Sequence, residues 1–127
     1  MKPLSTQTHT VIGLIVGLVL IIAPWLFGFA EQGGAAVAVP IYVGIFILLS
    51  ELTTTSPVSL LKLVPMRVHI VMDVLTGLFL LASPWLFNFY NLEANAWVPH
   101  VVVGIAVVGY ALMTRTNNEK ISVVKEG

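Results

Sequence analysis

One apolar phrase occurs twice in the chain, and each copy closes a long apolar run. The first copy is Ala-Pro-Trp-Leu-Phe-Gly-Phe at 23–29, and the second is Ser-Pro-Trp-Leu-Phe-Asn-Phe at 83–89, 60 positions later. The first run, 9–29, carries no charged residue and would be about 30 Å long as a helix, which matches the hydrocarbon core of a bilayer. The doublet therefore predicts repeated transmembrane helices.

The amino-acid composition also indicates a protein that lies in a lipid bilayer. Of the 127 residues, 57% are hydrophobic and 9% are charged, and the mean hydropathy is +0.97. An ordinary soluble domain carries about 25% charged residues. The formal net charge is zero, which gives no indication of nucleic acid as a partner. The absence of cysteine excludes disulfides, iron–sulfur clusters and cysteine-based zinc sites.

The hydropathy pattern predicts an all-α membrane protein with four spans, at 9–29, 35–52, 69–90 and 96–113, in a single domain over 1–127. Pro40 lies early in the second span, where a missing N–H is expected to cost little. In the connection at 55–66, Ser56 and Pro57 predict a short interfacial helix that runs to Val64. Asn95 is the expected N-cap of the fourth span, and the tail at 115–127 is expected to be flexible.

A shift of 60 positions aligns 9–54 with 69–114 without a gap, so that His9 meets His69 and Gly17 meets Gly77. Each unit holds two spans, which predicts two direct, parallel helix-pair repeats related by a pseudo-two-fold axis along the membrane normal. The alternative interpretation of the first run as a signal peptide is disfavoured by its length and by its internal twin.

Positive charges predict the orientation. All six fall at the termini or in the central connection: Lys2, Lys62, Arg67, Arg115, Lys120 and Lys125. The positive-inside rule therefore predicts that both termini are cytoplasmic. Three tryptophans and their aromatic neighbours are then expected to form a belt at the outer interface: Trp25, Trp85 and Trp97.

At these residues the chain resembles the SPW repeat family of small bacterial membrane proteins, which is named for a Ser-Pro-Trp motif in the first of two paired helices. Ser83, Pro84 and Trp85 match the motif fully, whereas Ala23 departs from it before Pro24 and Trp25. The resemblance covers about 9–113. It implies the four-span fold and the bacterial inner membrane, and it implies no activity.

The motif has a structural and a functional interpretation. Proline removes one helical hydrogen bond, and in lipid the freed carbonyl needs another donor, such as water or the Ser83 hydroxyl. The favoured interpretation is thus an anchor that ends or kinks the helix. The alternative is a shared outer cavity between the two motifs. The side chains available to it on the outer side would be those of Glu31, Glu93, His100 and two tryptophans. His100 is otherwise expected to be a polar interface residue.

Ionisable groups inside the spans are the candidates for chemistry. His69 and Asp73 lie four apart on one helix face, with Arg67 just outside. The favoured interpretation is a His–Asp or Arg–Asp pair that fixes the helix end at the interface, and the alternative is a proton relay. Glu51 is expected to reach water by itself, with a place in the Asp73 group as the alternative. His9 and His69 as ligands of a haem or a quinone are disfavoured, because both are expected at the interface.

Small residues recur inside the spans and predict close helix packing: Gly13, Gly17, Gly44, Gly77 and Gly104. Gly13 is the counterpart of Asp73 and is expected to make room for that carboxylate. The sequence shows no catalytic constellation and no metal-ligand spacing, so we expect no enzymatic activity, no metal and no cofactor. We predict a scaffold or accessory subunit that packs in the bilayer against itself or another membrane protein. The alternative is a small proton-linked transporter or channel that uses Asp73 and His69.

Overall fold

The structure, a computed structural model, describes residues 4–56 and 59–114. Four helices follow one another: α1 (Thr6–Leu26), α2 (Gly34–Thr53), α3 (Met66–Leu86) and α4 (Ala94–Leu112). Each is long and apolar enough to cross a membrane, and the described residues form no strand beyond isolated bridges. The predicted all-helical fold with four spans is confirmed.

Each helix buries one narrow stripe and exposes the rest of its surface to lipid. In α1 the buried positions recur every three or four residues, as at Gly13, Gly17, Leu20 and Pro24. This spacing is that of one helical face. Because lipid is as apolar as the core, the exposed faces are as hydrophobic as the buried ones, and only small or polar residues distinguish the stripe.

Two hairpins make up the bundle: α1 packs mainly on α2, and α3 packs mainly on α4. Glycines form both close crossings. A Cβ on Gly44 would lie 2.6 Å from the carbonyl oxygen of Gly17, and a Cβ on Gly104 would lie 2.7 Å from that of Gly77. The two pairs are 60 positions apart, and in each the helices touch backbone to backbone.

The Pro-Trp motif forms the last turn of α1 and of α3. Gly28 (φ 75°) and Asn88 (φ 60°) then take the left-handed conformation that ends a helix. The Phe29 amide donates to the Pro24 carbonyl at 2.7 Å, which is the six-residue closure of a Schellman motif. The phenylalanine at this position is buried, so the motif both stops the helix and packs its end.

Each motif proline leaves one carbonyl without its helical donor. In α3 this is the Leu80 carbonyl, and the Ser83 hydroxyl donates to it at 2.7 Å. In α1, Ala23 offers no hydroxyl to the corresponding carbonyl of Leu20. The tryptophans point outward, since Trp25 and Trp85 are both exposed.

The connection between α2 and α3 corrects one prediction. Its described residues form no helix; Pro57 lies outside the described part. Instead, the amides of Leu61 and Leu63 donate to the carbonyls of Leu52 and Thr53, each at 2.8 Å. These carbonyls are among the last four of α2, which have no donor inside the helix. The segment therefore folds back over the end of α2.

The opposite end of the bundle corrects three further predictions. Asn95 does not cap α4; it lies inside the helix, and its Nδ2 donates to the Phe27 carbonyl at 2.8 Å. Pro40 lies deeper in α2 than its N-terminal turn and frees the Ala36 carbonyl. His100 is buried, and its Nε2 donates to that carbonyl at 3.1 Å. A histidine of α4 thus replaces the bond that a proline of α2 removes.

The alternative of a shared outer cavity is also wrong. The space between the motifs is filled by Phe29 and Phe89, whose rings lie 5.7 and 4.7 Å from the ring of His100. The cavity that remains beside His100 has a volume of about 10 Å³. This is room for about one water molecule. Glu31 and Glu93 are exposed and do not line it.

Candidate functional site: a buried histidine–carboxylate cluster

Four ionisable side chains meet inside the end of the bundle where α1 and α3 begin and α2 ends. They are His9 of α1, Glu51 of α2, and His69 and Asp73 of α3, hereafter the cluster. Their exposed fractions are only 0% or 1%. An ionisable group buried in this way is costly unless it is paired, so the four residues must compensate one another.

The two shortest contacts both join the first hairpin to the second. His9 Nε2 lies 2.6 Å from Asp73 Oδ2, and His69 Nε2 lies 2.9 Å from Glu51 Oε2. Two longer contacts complete the ring: His69 Nε2 to Asp73 Oδ2 at 3.1 Å, and His9 Nε2 to Glu51 Oε2 at 3.6 Å. Each imidazole nitrogen thus faces both carboxylates, and two imidazoles balance two acids.

A threonine orients the ring of His9. Thr114 Oγ1 donates its single proton to the Tyr110 carbonyl at 2.6 Å. The same oxygen lies 2.8 Å from His9 Nδ1, so it accepts there, and Nδ1 carries a proton. We assign the tautomer from this network. Nε2 is then the nitrogen turned toward the two carboxylates. At 2.6 Å from Asp73 Oδ2, the two atoms share a hydrogen bond, so a proton lies between them on either the imidazole or the carboxyl group.

The structure corrects two predictions about the acids. Glu51 does not reach water by itself, because α3 and the connection after α2 cover it; it belongs to the cluster. Asp73 contacts His69 at 3.1 Å, as one form of the predicted anchor requires, but it is buried and does not pair with Arg67 at the surface. Arg67 is exposed, and among the described residues it makes no ion pair.

Gly13 makes room for a carboxylate, but for a different one than predicted. A Cβ on Gly13 would collide with the carboxylate of Glu51 and lie 2.8 Å from its Cγ. The predicted partner was Asp73, which sits instead against His9. The glycine therefore serves packing within the first hairpin, where α2 brings Glu51 under α1.

The connection after α2 closes the cluster from outside. The Ser59 hydroxyl donates to the Glu51 carbonyl, and the Ser56 hydroxyl donates to the Thr6 carbonyl at 3.4 Å. The short bridge between Leu4 and Thr114 lies at the same end. These contacts tie the starts and ends of three helices together around the cluster.

Sequence reasoning left His9 out of the polar group. The signal for including it was present, since His9 and His69 are 60 positions apart and each is a polar residue near the start of an apolar helix. The two rings meet edge to face with centroids 5.2 Å apart. This packing leaves no gap for a planar haem between them. Both Nε2 atoms point at carboxylates, an arrangement that suits protons or a small cation.

Comparison with protein families matches a family described as the SPW repeat domain over residues 7–114. The match includes all four helices and every residue of the cluster. Comparison with curated proteins gave no match. Comparison with solved structures gave no match either.

Proposed function

The chain belongs to the SPW repeat family, and from its fold we propose that it is a non-enzymatic scaffold or accessory subunit of the membrane. It acts by packing its lipid-facing helices against other transmembrane helices, of a second copy or of another membrane protein. Support comes from where the polar groups lie. The histidines and acids of the four described helices are buried between the helices, and the outward faces are apolar apart from Tyr42 and groups near the helix ends such as Arg67.

A single residue carries the proposal. Tyr42 lies near the middle of α2, yet its side chain is 71% exposed. A tyrosine usually sits at the membrane interface, where its hydroxyl meets water. The described residues offer Tyr42 no hydrogen-bond partner. At mid-span that hydroxyl needs a partner from outside the chain.

A shallow groove surrounds Tyr42 between α2 and α3. Of its lining residues only Tyr42 and Thr76 carry a polar group in the side chain; the lining consists of Tyr42, Val43, Phe46, Leu75, Thr76 and Phe79. The groove has a volume of about 310 Å³. A transmembrane helix seated there would bury the aromatic rings and could pair with both Tyr42 and Thr76, which is how polar groups join helices in lipid.

Site-directed cross-linking tests the proposal, because the chain has no cysteine of its own. A photoreactive maleimide on Leu75→Cys, which lines the groove beside Tyr42 and is 62% exposed, should cross-link to a protein in the native membrane, and mass spectrometry identifies that protein. Ile15→Cys on α1 is the matched control, since Ile15 is also lipid-facing and 57% exposed. The proposal would be refuted by equal cross-linking at both positions together with native mass spectrometry that shows a monomer with no other protein bound.

We also propose that the bundle lies in the bacterial inner membrane, as two direct repeats with both termini in the cytoplasm. Lys62 and Arg67 support this orientation, since both lie at the cluster end, whereas the turns at the opposite end carry no positive charge. An impermeant maleimide should label Gln32→Cys in spheroplasts and should leave Lys62→Cys unlabelled. The reverse labelling would overturn the orientation.

A second function is favoured by the cluster itself. Two histidines and two acids that share protons inside a bundle suit a proton-linked transporter or channel, in which Asp73 and His69 exchange the proton. In liposomes, Asp73→Asn would then abolish a proton flux that the wild-type protein supports. A wild-type flux no greater than that of empty liposomes would exclude this function.

A further inference from the structure

We propose that the cluster is a structural site for one divalent transition-metal ion, with His9, Glu51, His69 and Asp73 as its four ligands. Each residue offers one donor atom, and these four atoms lie within 4.8 Å of one another. Zn²⁺ is the ion that this set of two nitrogens and two oxygens suits best, because it prefers four ligands of these kinds. The inference is independent of the proposed scaffold function, and it is the alternative to proton exchange by the same four residues.

The spacing of the donors fits a four-coordinate ion. Zinc lies about 2.0–2.2 Å from histidine nitrogen and carboxylate oxygen, so its tetrahedral ligands are about 3.3–3.5 Å apart. The four nitrogen–oxygen separations in the cluster are 2.6, 2.9, 3.1 and 3.6 Å. Three of these separations lie within about 0.6 Å of the spacing for a tetrahedral ion, and the contact between His9 and Asp73 would have to open by about 0.8 Å to admit the ion.

Two independent features point at a ligand in this position. Thr114 holds His9 with Nδ1–H bonded and Nε2 directed inward, as the outer partners of metal-binding histidines do. Glu51 is fully buried, and among the described residues its Oε1 has no hydrogen-bond partner. Because the two oxygens of a carboxylate share its charge, a cation bound at Glu51 Oε2 lowers the cost of leaving Oε1 without a partner.

Charge leads to the same conclusion. Two carboxylates and two neutral imidazoles carry a charge of −2, which one divalent ion neutralises. The described residues bring no lysine or arginine into contact with the cluster. Without a metal, two added protons on the imidazoles or the carboxylates supply the balance, so binding of the ion displaces protons.

The ligand set favours a structural ion over a catalytic one. Four protein ligands leave no open position for water or substrate, which is the pattern of structural zinc. The ligands come from three helices and from both hairpins, so the ion clamps the first hairpin to the second. The sequence offered no ligand spacing because the ligands at 9, 51 and 69–73 converge only in the folded bundle.

The test uses the full chain, purified in mild detergent, stripped with a chelator and titrated with Zn²⁺. We expect one Zn²⁺ per chain by elemental analysis, with a higher unfolding temperature when the ion is bound. His9→Gln and Asp73→Asn should each lose the ion. His100→Gln, which removes a buried histidine at the other end of the bundle, should keep one ion per chain.

Replacement of Zn²⁺ by Co²⁺ makes the test independent of variants that fail to fold. A four-coordinate Co²⁺ site gives intense visible absorption, and the wild-type protein should show it. Failure of the folded wild-type protein to retain either ion would overturn the metal site, as would equal retention by wild type, His9→Gln and Asp73→Asn. Loss of the metal site would leave the cross-linking result at Leu75 unaffected, and a negative cross-linking result would leave the metal count unaffected.

Discussion

Replacing Gly104 by alanine tests the close crossing of α3 and α4. A Cβ at this position would lie 2.6 Å from the Leu81 amide nitrogen, 2.7 Å from the Gly77 carbonyl oxygen and 2.9 Å from the Leu81 Cα. All three atoms belong to the backbone of α3, so no side chain can rotate out of the way. Ordinary contact begins at 3.4 Å, and the helices must therefore separate by about 0.8 Å.

The size of the effect follows from two opposing terms. Overpacking of a tight interior costs about 1–3 kcal/mol, while alanine gains up to about 1 kcal/mol over glycine as a helix former. For Gly104→Ala we expect a net loss of about 1–2 kcal/mol. Gly109→Ala is the matched control in the same helix, since its Cβ would meet nothing within 4 Å. We expect this second variant to be neutral or to gain up to about 1 kcal/mol.

Unfolding in mixed detergent micelles, followed by circular dichroism, measures both variants against the wild-type protein. The difference between the two alanine variants should be about 1–3 kcal/mol, with Gly104→Ala the less stable. Equal stability of the two variants would refute the argument, because it would mean that the crossing at Gly104 can open without cost. The companion variant Gly44→Ala should repeat the loss in the first hairpin, since its Cβ would lie 2.6 Å from the carbonyl oxygen of Gly17.

Three further changes probe other contacts by the same unfolding measurement. Asp73→Asn breaks a buried charge pair and should cost about 3–5 kcal/mol, whereas Glu93→Gln, at an exposed acid, should stay within about 0.5 kcal/mol of wild type; similar losses for both would contradict the pairing. Ser83→Ala removes the donor to the Leu80 carbonyl and should cost about 1–2 kcal/mol, and no loss would show that water replaces the hydroxyl. Asn95→Ala removes an exposed bond between the hairpins and should cost only about 0.5 kcal/mol; a loss above about 2 kcal/mol would mean that this bond carries more of the fold than its exposure suggests.

The four helices and their stop signals could be predicted because they depend on local pattern. A run of about 20 apolar residues is the length of a bilayer core, wherever the neighbouring helices lie. The donor role of Ser83 was also open to prediction, because Pro84 frees a carbonyl only four residues before it. The small residues at the helix crossings could also be predicted, because helices in lipid associate through close packing that only small residues permit.

The errors at the helix ends arose where a distant part of the chain supplied the hydrogen bond. The residues from Ser56 onward predicted a short helix at the connection. The amides of this segment instead donate to the free carbonyls at the end of α2. Asn95 had the side chain of an N-cap, and the Phe27 carbonyl used its amide instead. Hydrogen-bond partners from distant parts of the chain cannot be identified from the residues next to a helix end.

The cluster was decided by tertiary structure alone. Periodicity puts His69 and Asp73 on one face of α3, but it does not give the rotation of α1 and α2 about their axes. The glycine crossing at Gly17 sets that rotation and brings His9 and Glu51 inward from helices whose sequences show no shared motif. An acid near a helix end reaches water when its neighbours are lipid, and it becomes buried when other helices and a folded-back connection cover it. Local sequence therefore determined four apolar helices and where they stop, whereas the meeting of two histidines with two carboxylates depended on how the hairpins pack.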